Sequence, residues 1–241
     1  MQDALYERLV PREIDPTDEC GQVAIATHQE RYHFASRLST GRRVLDIACG
    51  VGYGSRILKH EGHADSGLGV DVDGEAIALA RKLYEAPGVT FVESAHQNFH
   101  PDQRFDLFCF LETVEHLPDP ADFLGKLSSL TTPRRILVAS VLVTVSADSN
   151  PYHLHDFTRR SFRRLLTQHG FAEVGRLEET SLIRVLRRGK VNPPFRRIDK
   201  IGCSNTTFSL VGFSSGVSEV SDMAPGMSSC AWRVNTAVRL N

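Results

Sequence analysis

The chain has 241 residues, 41% of them hydrophobic and 24% charged, which is enough for one domain with a large core and some appendages. Its 28 lysines and arginines nearly balance its 29 aspartates and glutamates, so the net charge of -1 excludes a general polyanion-binding or polybasic membrane-binding protein. No apolar run approaches the roughly 20 residues of a bilayer span, and the amino-terminal segment lacks the pattern of a secretory signal. We therefore expect a cytoplasmic protein that does not associate with membranes.

Helix-like and strand-like segments alternate over most of the chain. Residues 1–40 are predicted to form a helical lead-in or lid, with apolar positions at helical spacing from Gly21 to Leu38. Short apolar runs predict strands at 44–48, 67–71, 89–93, 105–111, 136–145 and 171–177. Stretches between them predict helices at 55–60, 75–84, 120–130 and 158–166. This alternation predicts an α/β fold, a doubly wound and mostly parallel sheet, with the core domain at residues 41–180.

The composition changes after residue 180. Residues 184–200 are markedly basic, and residues 203–229 are rich in serine, glycine and threonine without a sustained period. Such composition is typical of a linker, a cap or a partly disordered segment. We therefore expect residues 181–241 to lie outside the catalytic core, as a cap, as a contact element of a homodimer or as a partly disordered tail.

A glycine-rich turn after the first predicted strand is the central feature of the sequence. Gly50, Gly52 and Gly54 open a helix there, and glycine allows a sharp turn and the close approach of a ligand. Asp71 ends the second strand about 20 residues later, where a carboxylate can accept hydrogen bonds from ribose hydroxyls. A tight turn without a ligand is the structural alternative. Strand, turn, helix and acid together favour a nucleoside cofactor.

The spacing of the glycines separates two kinds of cofactor. The dinucleotide fingerprint ends on a glycine or alanine that lets helix and strand pack closely, and Ser55 occupies that place here. Asp46 stands near the end of the first strand, where its carboxylate can hold an ammonium group. The pattern therefore disfavours a dinucleotide and suits a nucleoside that carries an amino group.

Residues 46–54 read Asp-Ile-Ala-Cys-Gly-Val-Gly-Tyr-Gly and resemble motif I of the class I S-adenosylmethionine-dependent methyltransferases. The resemblance continues through residues 69–73 and 111–120 and covers roughly residues 28–177. Among these enzymes the chain is most similar to the small-molecule type of ubiquinone biosynthesis. The resemblance implies a Rossmann-like methyltransferase fold and S-adenosylmethionine (SAM) as the cofactor.

The resemblance also implies contacts to the cofactor, residue by residue. Asp71 would hold the ribose hydroxyls, and Val72 would flank the adenine. Ser94 and Ala95 fall where the family usually has Asp-Ala near the adenine amine, so the usual carboxylate is missing and Ser94 or a backbone amide would replace it. The residues implied on the methionine side are Asp46, Cys49, Gly50, Gly52, Leu111 and Glu112.

Three histidines are candidates for the general base of methyl transfer to a hydroxyl. A sulfonium methyl is intrinsically reactive, so the enzyme mainly aligns the acceptor, excludes water and removes a proton, for which histidine has a suitable pKa. His116 follows the fourth strand, and His153 and His155 follow the fifth, at the edge where ligands bind in such folds. Each has a structural alternative: His116 can stiffen its loop through backbone carbonyls, and His153 or His155 can serve in packing.

The sequence nominates no complete metal site. Two imidazoles and a carboxylate stand at 153–156, but nothing indicates the further ligand that a metal ion normally needs. The five cysteines are scattered without a C-x-x-C pair, and Cys49 and Cys109 are expected to be buried small residues. We therefore expect chemistry without a metal, and a metal site at 153–156 is the lesser alternative.

The favoured prediction is a SAM-dependent methyltransferase acting on a small molecule, with a hydroxyl oxygen as acceptor and nitrogen or carbon as open alternatives. An NAD(P)-dependent oxidoreductase would share the fold but not the glycine spacing. A non-catalytic SAM-fold protein that binds RNA or a partner is suggested by the missing strand acid and by the basic residues of 159–164 and 184–200. A charge run is usually a solvated face, so nucleic-acid binding is not expected.

Overall fold

The structure, a computed structural model, describes residues 9–143, 152–178 and 206–214. The helices are α1 (Glu19–Ser36), α2 (Tyr53–His60), α3 (Gly74–Tyr84), α4 (Pro120–Ser129) and α5 (Arg159–Gln168). The strands are β1 (Arg43–Ile47), β2 (Ser66–Asp71), β3 (Val89–Glu93), β4 (Phe105–Phe110), β5 (Thr131–Val143), β6 (Phe171–Glu178) and β7 (Thr206–Ser214). Short 3₁₀ turns, His96–Asn98 and Val114–His116, follow β3 and β4.

All the strands belong to one seven-stranded sheet in the order β3-β2-β1-β4-β5-β7-β6. Neighbouring strands from β3 to β5 are parallel, whereas β7 runs antiparallel to both β5 and β6. The predicted α/β fold with a mostly parallel sheet is confirmed. Because parallel strands end at the same edge, the loops after β1, β2, β3 and β4 all meet there.

Strand β7 lies within the segment that we expected to stand outside the core. It fills the place between β5 and β6, so the sheet extends beyond the predicted core boundary at residue 180. The sequence does not predict this strand, because its apolar residues occupy both even and odd positions and show no two-residue period. They are Phe208, Leu210, Val211 and Phe213. A strand in the interior of a sheet need not alternate strictly. The basic run at 184–200 lies outside the described residues.

The centre of the core is β4, whose aromatic side chains are completely buried. Phe105, Phe108 and Phe110 have no exposed surface, and the Phe110 ring packs edge to face on Phe123 of α4 at 5.3 Å. Each such ring stabilises the fold by about 2–3 kcal/mol through burial alone. The sheet and α4 therefore form a rigid support for the loop after β4.

The helices beside the carboxyl edge begin at side-chain caps. Asp73 accepts hydrogen bonds from the backbone N–H groups of Glu75 and Ala76 at the start of α3. Asp119 caps α4 in the same way, and Pro120 occupies its first turn. These caps fix where the loops after β2 and β4 end.

Helix α1 is the helix expected in the lead-in, and it packs against α2. Ile25, Tyr32 and Ala35 are buried in a cluster that also contains Val51 and Ile57. The start of α2 is thus covered by a segment that precedes the first strand. None of the described helices has the length and apolar character needed to cross a membrane.

Candidate functional site

The turn between β1 and α2 needs its glycines for two different reasons. Gly50 and Gly52 both have a left-handed backbone, with φ of 54° and 87°. A Cβ on Gly52 would lie 2.6 Å from the Phe91 ring and 2.8 Å from Ala80, so this glycine also permits close packing. A Cβ on Gly50 would have no atom within 4 Å. The protein thus leaves open space at Gly50, as the backbone cradle of a ligand requires.

Asp71 joins this turn to the end of β2. Its Oδ2 accepts a hydrogen bond from the Gly50 N–H at 2.8 Å, and its Oδ1 accepts one from the Asp73 N–H at 3.0 Å. The carboxylate is therefore oriented by backbone from two loops, while each of its oxygens keeps further acceptor capacity. Its place at the edge of β2 is the one expected for a ribose contact.

Asp46 lies beneath the turn, with only 1% of its surface exposed. The Tyr32 hydroxyl donates to its Oδ1 at 3.2 Å, and the Ser55 hydroxyl donates to its Oδ2 at 2.6 Å. Burial raises the pKa of Asp46 to about 7, although both hydrogen bonds oppose the shift. The neighbouring Cys49 is also buried, and burial raises the pKa of its thiol, which disfavours a nucleophilic role.

An apolar cleft of about 230 Å³ opens at the ends of β1, β2 and β3 and is closed on one side by α4. Val72, Ser94 and Ala95 line it, as the resemblance implies for the adenine side. Val72 is 60% exposed, which leaves an apolar surface available to a flat ring. Four buried residues of the core also line it: Val70, Phe99, Phe123 and Leu127.

Beyond β4 the chain turns sharply at Glu112, which has a left-handed backbone with φ of 48°. The Ser140 hydroxyl donates to Glu112 Oε1 at 2.9 Å, and Arg31 Nη1 lies 3.7 Å from the same oxygen. The Arg31 side chain is only 9% exposed. Leu111 is buried in the cluster under α1. This side of the site therefore holds a buried cation that the sequence did not reveal.

Glu115 is a buried acid within the family-like segment 111–120, and the sequence alone does not mark it as a site residue. Only 1% of it is exposed, and its Oε1 accepts from the Leu142 N–H at 3.1 Å. Its Oε2 is buried and has no hydrogen-bond partner among the residues that the structure describes. Burial raises the pKa of Glu115 well above its usual value, and the nearby Glu112 carboxylate raises it further. Burial therefore favours the neutral form of this side chain.

The backbone of Glu115 also holds the segment after β5. Its carbonyl accepts from the Leu154 N–H at 2.7 Å and from the His155 N–H at 3.3 Å. This attachment brings the rings of His116 and His153 together, with centroids 4.6 Å apart and planes at 76°. His155 instead lies near Phe157, at 6.0 Å between ring centroids.

Hydrogen bonds assign the tautomers of two histidines. His116 Nδ1 lies 3.0 Å from the Tyr152 carbonyl, and His155 Nε2 lies 2.8 Å from the Leu117 carbonyl. A carbonyl oxygen only accepts, so each of these nitrogens carries a proton and donates it. The basic nitrogen of neutral His116 is therefore Nε2, and that of neutral His155 is Nδ1. Within the described ranges no three metal-ligating side chains come together.

Helix α1 contributes a second set of side chains that sequence reasoning missed. The Tyr53 hydroxyl, at the start of α2, forms a short hydrogen bond with His28 Nδ1. Burial, and after it the charge of Arg31, lowers the pKa of His28 to about 3, so its ring is neutral. The rings of His28, Tyr32 and Tyr53 pack edge to face at 5.5–5.8 Å. The four-residue spacing of His28 and Tyr32 on α1 was the available signal.

The basic residues of α5 fit the solvated-face interpretation. Arg160 and Arg164 are exposed, and Arg163 forms an ion pair with Glu173 of β6.

The fold and this edge together define a class of protein. An open glycine turn bonded to the acid of the next strand, beside an apolar cleft, is the arrangement of a nucleoside-binding Rossmann-like enzyme. Residues 24–174 match the methyltransferase domain family, and the chain belongs to that family. The expected family is thereby confirmed, and with it SAM as the cofactor.

Curated relatives and a solved structure agree with this assignment. The mitochondrial ubiquinone biosynthesis O-methyltransferase of Dictyostelium discoideum is 33% identical over 39% of this chain and 33% of its own length. The 2-methyl-6-phytyl-1,4-hydroquinone methyltransferase of Synechocystis is 32% identical over 61% and 48%. The chain thus matches half or less of these relatives' lengths. Magnesium protoporphyrin IX methyltransferase from Synechocystis, with bound SAM, has a TM-score of 0.59 at 16% identity, covering 84% of this chain and 86% of that one, and shares the fold.

Proposed function

We propose that the protein transfers the methyl group of SAM to a hydroxyl oxygen of a small-molecule acceptor, without a metal ion. The observation that carries the proposal is the bond between the Gly50 N–H and the Asp71 carboxylate at an open turn beside an apolar cleft. Family membership supports the chemistry. One relative is an O-methyltransferase by name, which supports oxygen as the acceptor atom.

The residues present fit the cofactor in three places. Asp71 would accept hydrogen bonds from the ribose hydroxyls, because each oxygen already fixed by backbone keeps a second acceptor site. Val72 and Ala95 would flank the adenine in the cleft. Arg31 is a buried cation beside Glu112 and would favour the methionine carboxylate. When bound, SAM supplies an electrophilic methyl group on a sulfonium sulfur.

In this proposal His116 is the first candidate for the base. Its Nδ1–H is held by the Tyr152 carbonyl, so Nε2 accepts the proton of the acceptor hydroxyl while the oxygen–carbon bond forms and the carbon–sulfur bond breaks. His153 lies against the His116 ring and is the second candidate. His155 is the third, because its Nε2–H is directed at the backbone of Leu117.

Two measurements test the proposal. Calorimetry with SAM tests cofactor binding, and transfer of labelled methyl from SAM to hydroquinone, catechol and aniline tests the acceptor atom. We expect binding, transfer to the two phenols and none to aniline, all unchanged by EDTA. Transfer to aniline would show that nitrogen can be the acceptor atom and would overturn the assignment to oxygen. Activity that is lost in EDTA and restored by Mg²⁺ would overturn the metal-free mechanism.

The base is tested by comparing His116→Ala, His153→Ala and His155→Ala at saturating SAM with hydroquinone. We expect His116→Ala to lose about 100-fold in turnover, in the range of a lost general base. Full turnover in all three variants would show that solvent removes the proton or that no base is needed.

The non-catalytic alternative has one observation in its favour, the serine that stands in place of the usual acid at position 94. It predicts weak SAM affinity or RNA binding that declines steeply with salt. The dehydrogenase alternative predicts stabilisation by NAD(P), and membership of the methyltransferase family argues against it.

A further inference from the structure

The adenine side of the cleft lacks the carboxylate that the resemblance leads one to expect, so another group must recognise the amino edge of the base. This question rests on the proposed binding of SAM. The polar side chains that line the cleft belong to Asp71, Ser94, His96, Gln97, Thr113 and Lys126. Their existing hydrogen bonds indicate which of them is available to a ligand.

Three of these side chains already bond to nearby backbone. The Ser94 hydroxyl donates to the Ala95 carbonyl at 3.0 Å, and the Thr113 hydroxyl donates to the Leu111 carbonyl at 3.0 Å. Lys126 Nζ donates to the Gln97 carbonyl. Each hydroxyl would have to break a bond before it could donate elsewhere.

The other two charged or aromatic groups are also engaged. Asp71 binds the glycine turn and lies on the ribose side. The His96 ring packs edge to face on Phe123 at 5.4 Å, and its Nε2 lies 4.0 Å from Asp122 Oδ2. His96 and the Lys126 bond hold the 96–98 turn against α4.

Gln97 differs from all of them. Its backbone is fixed by Lys126, yet its side chain is exposed at the cleft and makes no hydrogen bond to the described part of the chain. Glu93 does not compete for the role, because its carboxylate lies against Gly74 at the start of α3 and does not line the cleft.

We propose that Gln97 is the residue that recognises the adenine edge of SAM in this protein. A carboxamide matches this edge because its oxygen accepts from the 6-amino group and its NH₂ donates to the adjacent ring nitrogen, a pairing that adenine commonly makes with glutamine. The apolar faces of Val72 and Ala95 then hold the ring, and Gln97 selects its amino group.

The experiment compares two ligands by calorimetry: S-adenosylhomocysteine (SAH) and its analogue with unsubstituted purine as the base, which lacks the 6-amino group. We expect wild type to prefer SAH by about tenfold, the value of one good hydrogen bond. In Gln97→Ala the preference should fall to about twofold or less. Gln97→Glu keeps an acceptor for the amino group and should restore the preference while weakening both ligands.

Asn98→Ala is the matched control, because Asn98 is exposed beside Gln97 in the same turn and does not line the cleft; it should keep the wild-type ratio. Ser94→Ala tests the competing assignment, because its hydroxyl lines the cleft but already donates to backbone. An unchanged ratio in Gln97→Ala, or a ratio lost in Ser94→Ala, would overturn the assignment to Gln97. If wild type bound neither ligand, the proposed SAM-dependent function would fail instead, so the two failures are distinguishable.

Discussion

The proposed cofactor half of the carboxyl edge consists mainly of the loops that directly follow β1, β2 and β3, with Arg31 and Glu112 at its methionine side. The proposed acceptor half, around Glu115 and His116, joins segments that are far apart in the sequence. In the first half, Asp71 binds Gly50 and Asp73 in neighbouring loops. In the second, Glu115 binds Leu142 through its side chain and Leu154 through its backbone. Local loops are encoded by short motifs; the acceptor half depends on how distant segments pack.

Each half also contains a buried acid. Burial raises the pKa of Asp46 beneath the glycine turn and of Glu115 after β4. Asp71 differs from both, because it is only partly buried and is oriented by the backbone N–H groups of Gly50 and Asp73. Burial therefore favours the neutral forms of Asp46 and Glu115.

The largest expected effect concerns Asp46. Its pKa is higher in the folded protein, about 7, than the ordinary value of 3.8, so its contribution to stability is complete below about pH 4 and is lost as the pH rises to about 7. Relative to Asp46→Asn, wild type should lose on the order of 3 kcal/mol of unfolding free energy across this window. Denaturant titrations of both proteins from pH 4 to 8 measure the difference. If the unfolding free energies of wild type and Asp46→Asn changed with pH in parallel, Asp46 would not titrate in this way.

Asp71→Ala should weaken SAH binding about 100-fold, because it removes the charge-assisted contacts to ribose and the acceptor that orients the Gly50 N–H. Asp106→Ala is the matched control: Asp106 accepts from the Arg43 N–H at the opposite edge of the sheet. Calorimetry should show wild-type affinity in the control. Equal affinities in both variants would exclude the ribose assignment.

The two glycines of the turn should respond differently to alanine. Gly52→Ala meets Phe91 and Ala80 and should destabilise the fold by about 2 kcal/mol, measured by chemical denaturation. Gly50→Ala has no neighbour to displace, so it should cost about 1 kcal/mol of backbone strain and reduce SAH affinity about tenfold. If the two variants lost the same unfolding free energy and bound SAH equally well, Gly50 would not form part of the cofactor site.

The smallest effect is expected for Glu115→Gln, in the acceptor half. Glu115→Ala leaves the Leu142 N–H without its acceptor and should cost about 2 kcal/mol of unfolding free energy. Glu115→Gln keeps an uncharged acceptor of the same shape and should cost less than about 1 kcal/mol. If glutamine is as disruptive as alanine, the carboxyl is ionised in the folded protein.

The cofactor half could be predicted from sequence because its residues follow strands in fixed order. Gly50, Asp71, Val72 and Ser94 all come to the edge where their motifs imply. Gln97 and Glu115 lay in or beside the quoted motifs, but only burial and hydrogen-bond partners distinguish them from their neighbours. Arg31 and His28 were hidden in a lead-in helix that no motif marks.

The sequence by itself determined the alternating α/β pattern, the glycine turn with its acid and the family, because strand periodicity and the backbone needs of glycine act over a few residues. Tertiary structure alone decided that β7 enters the sheet from beyond residue 180, that α1 covers the turn and that His116 meets His153. These contacts join segments far apart in the chain. Packing and hydrogen bonding between such segments produce no local periodicity of apolar residues from which they could be predicted.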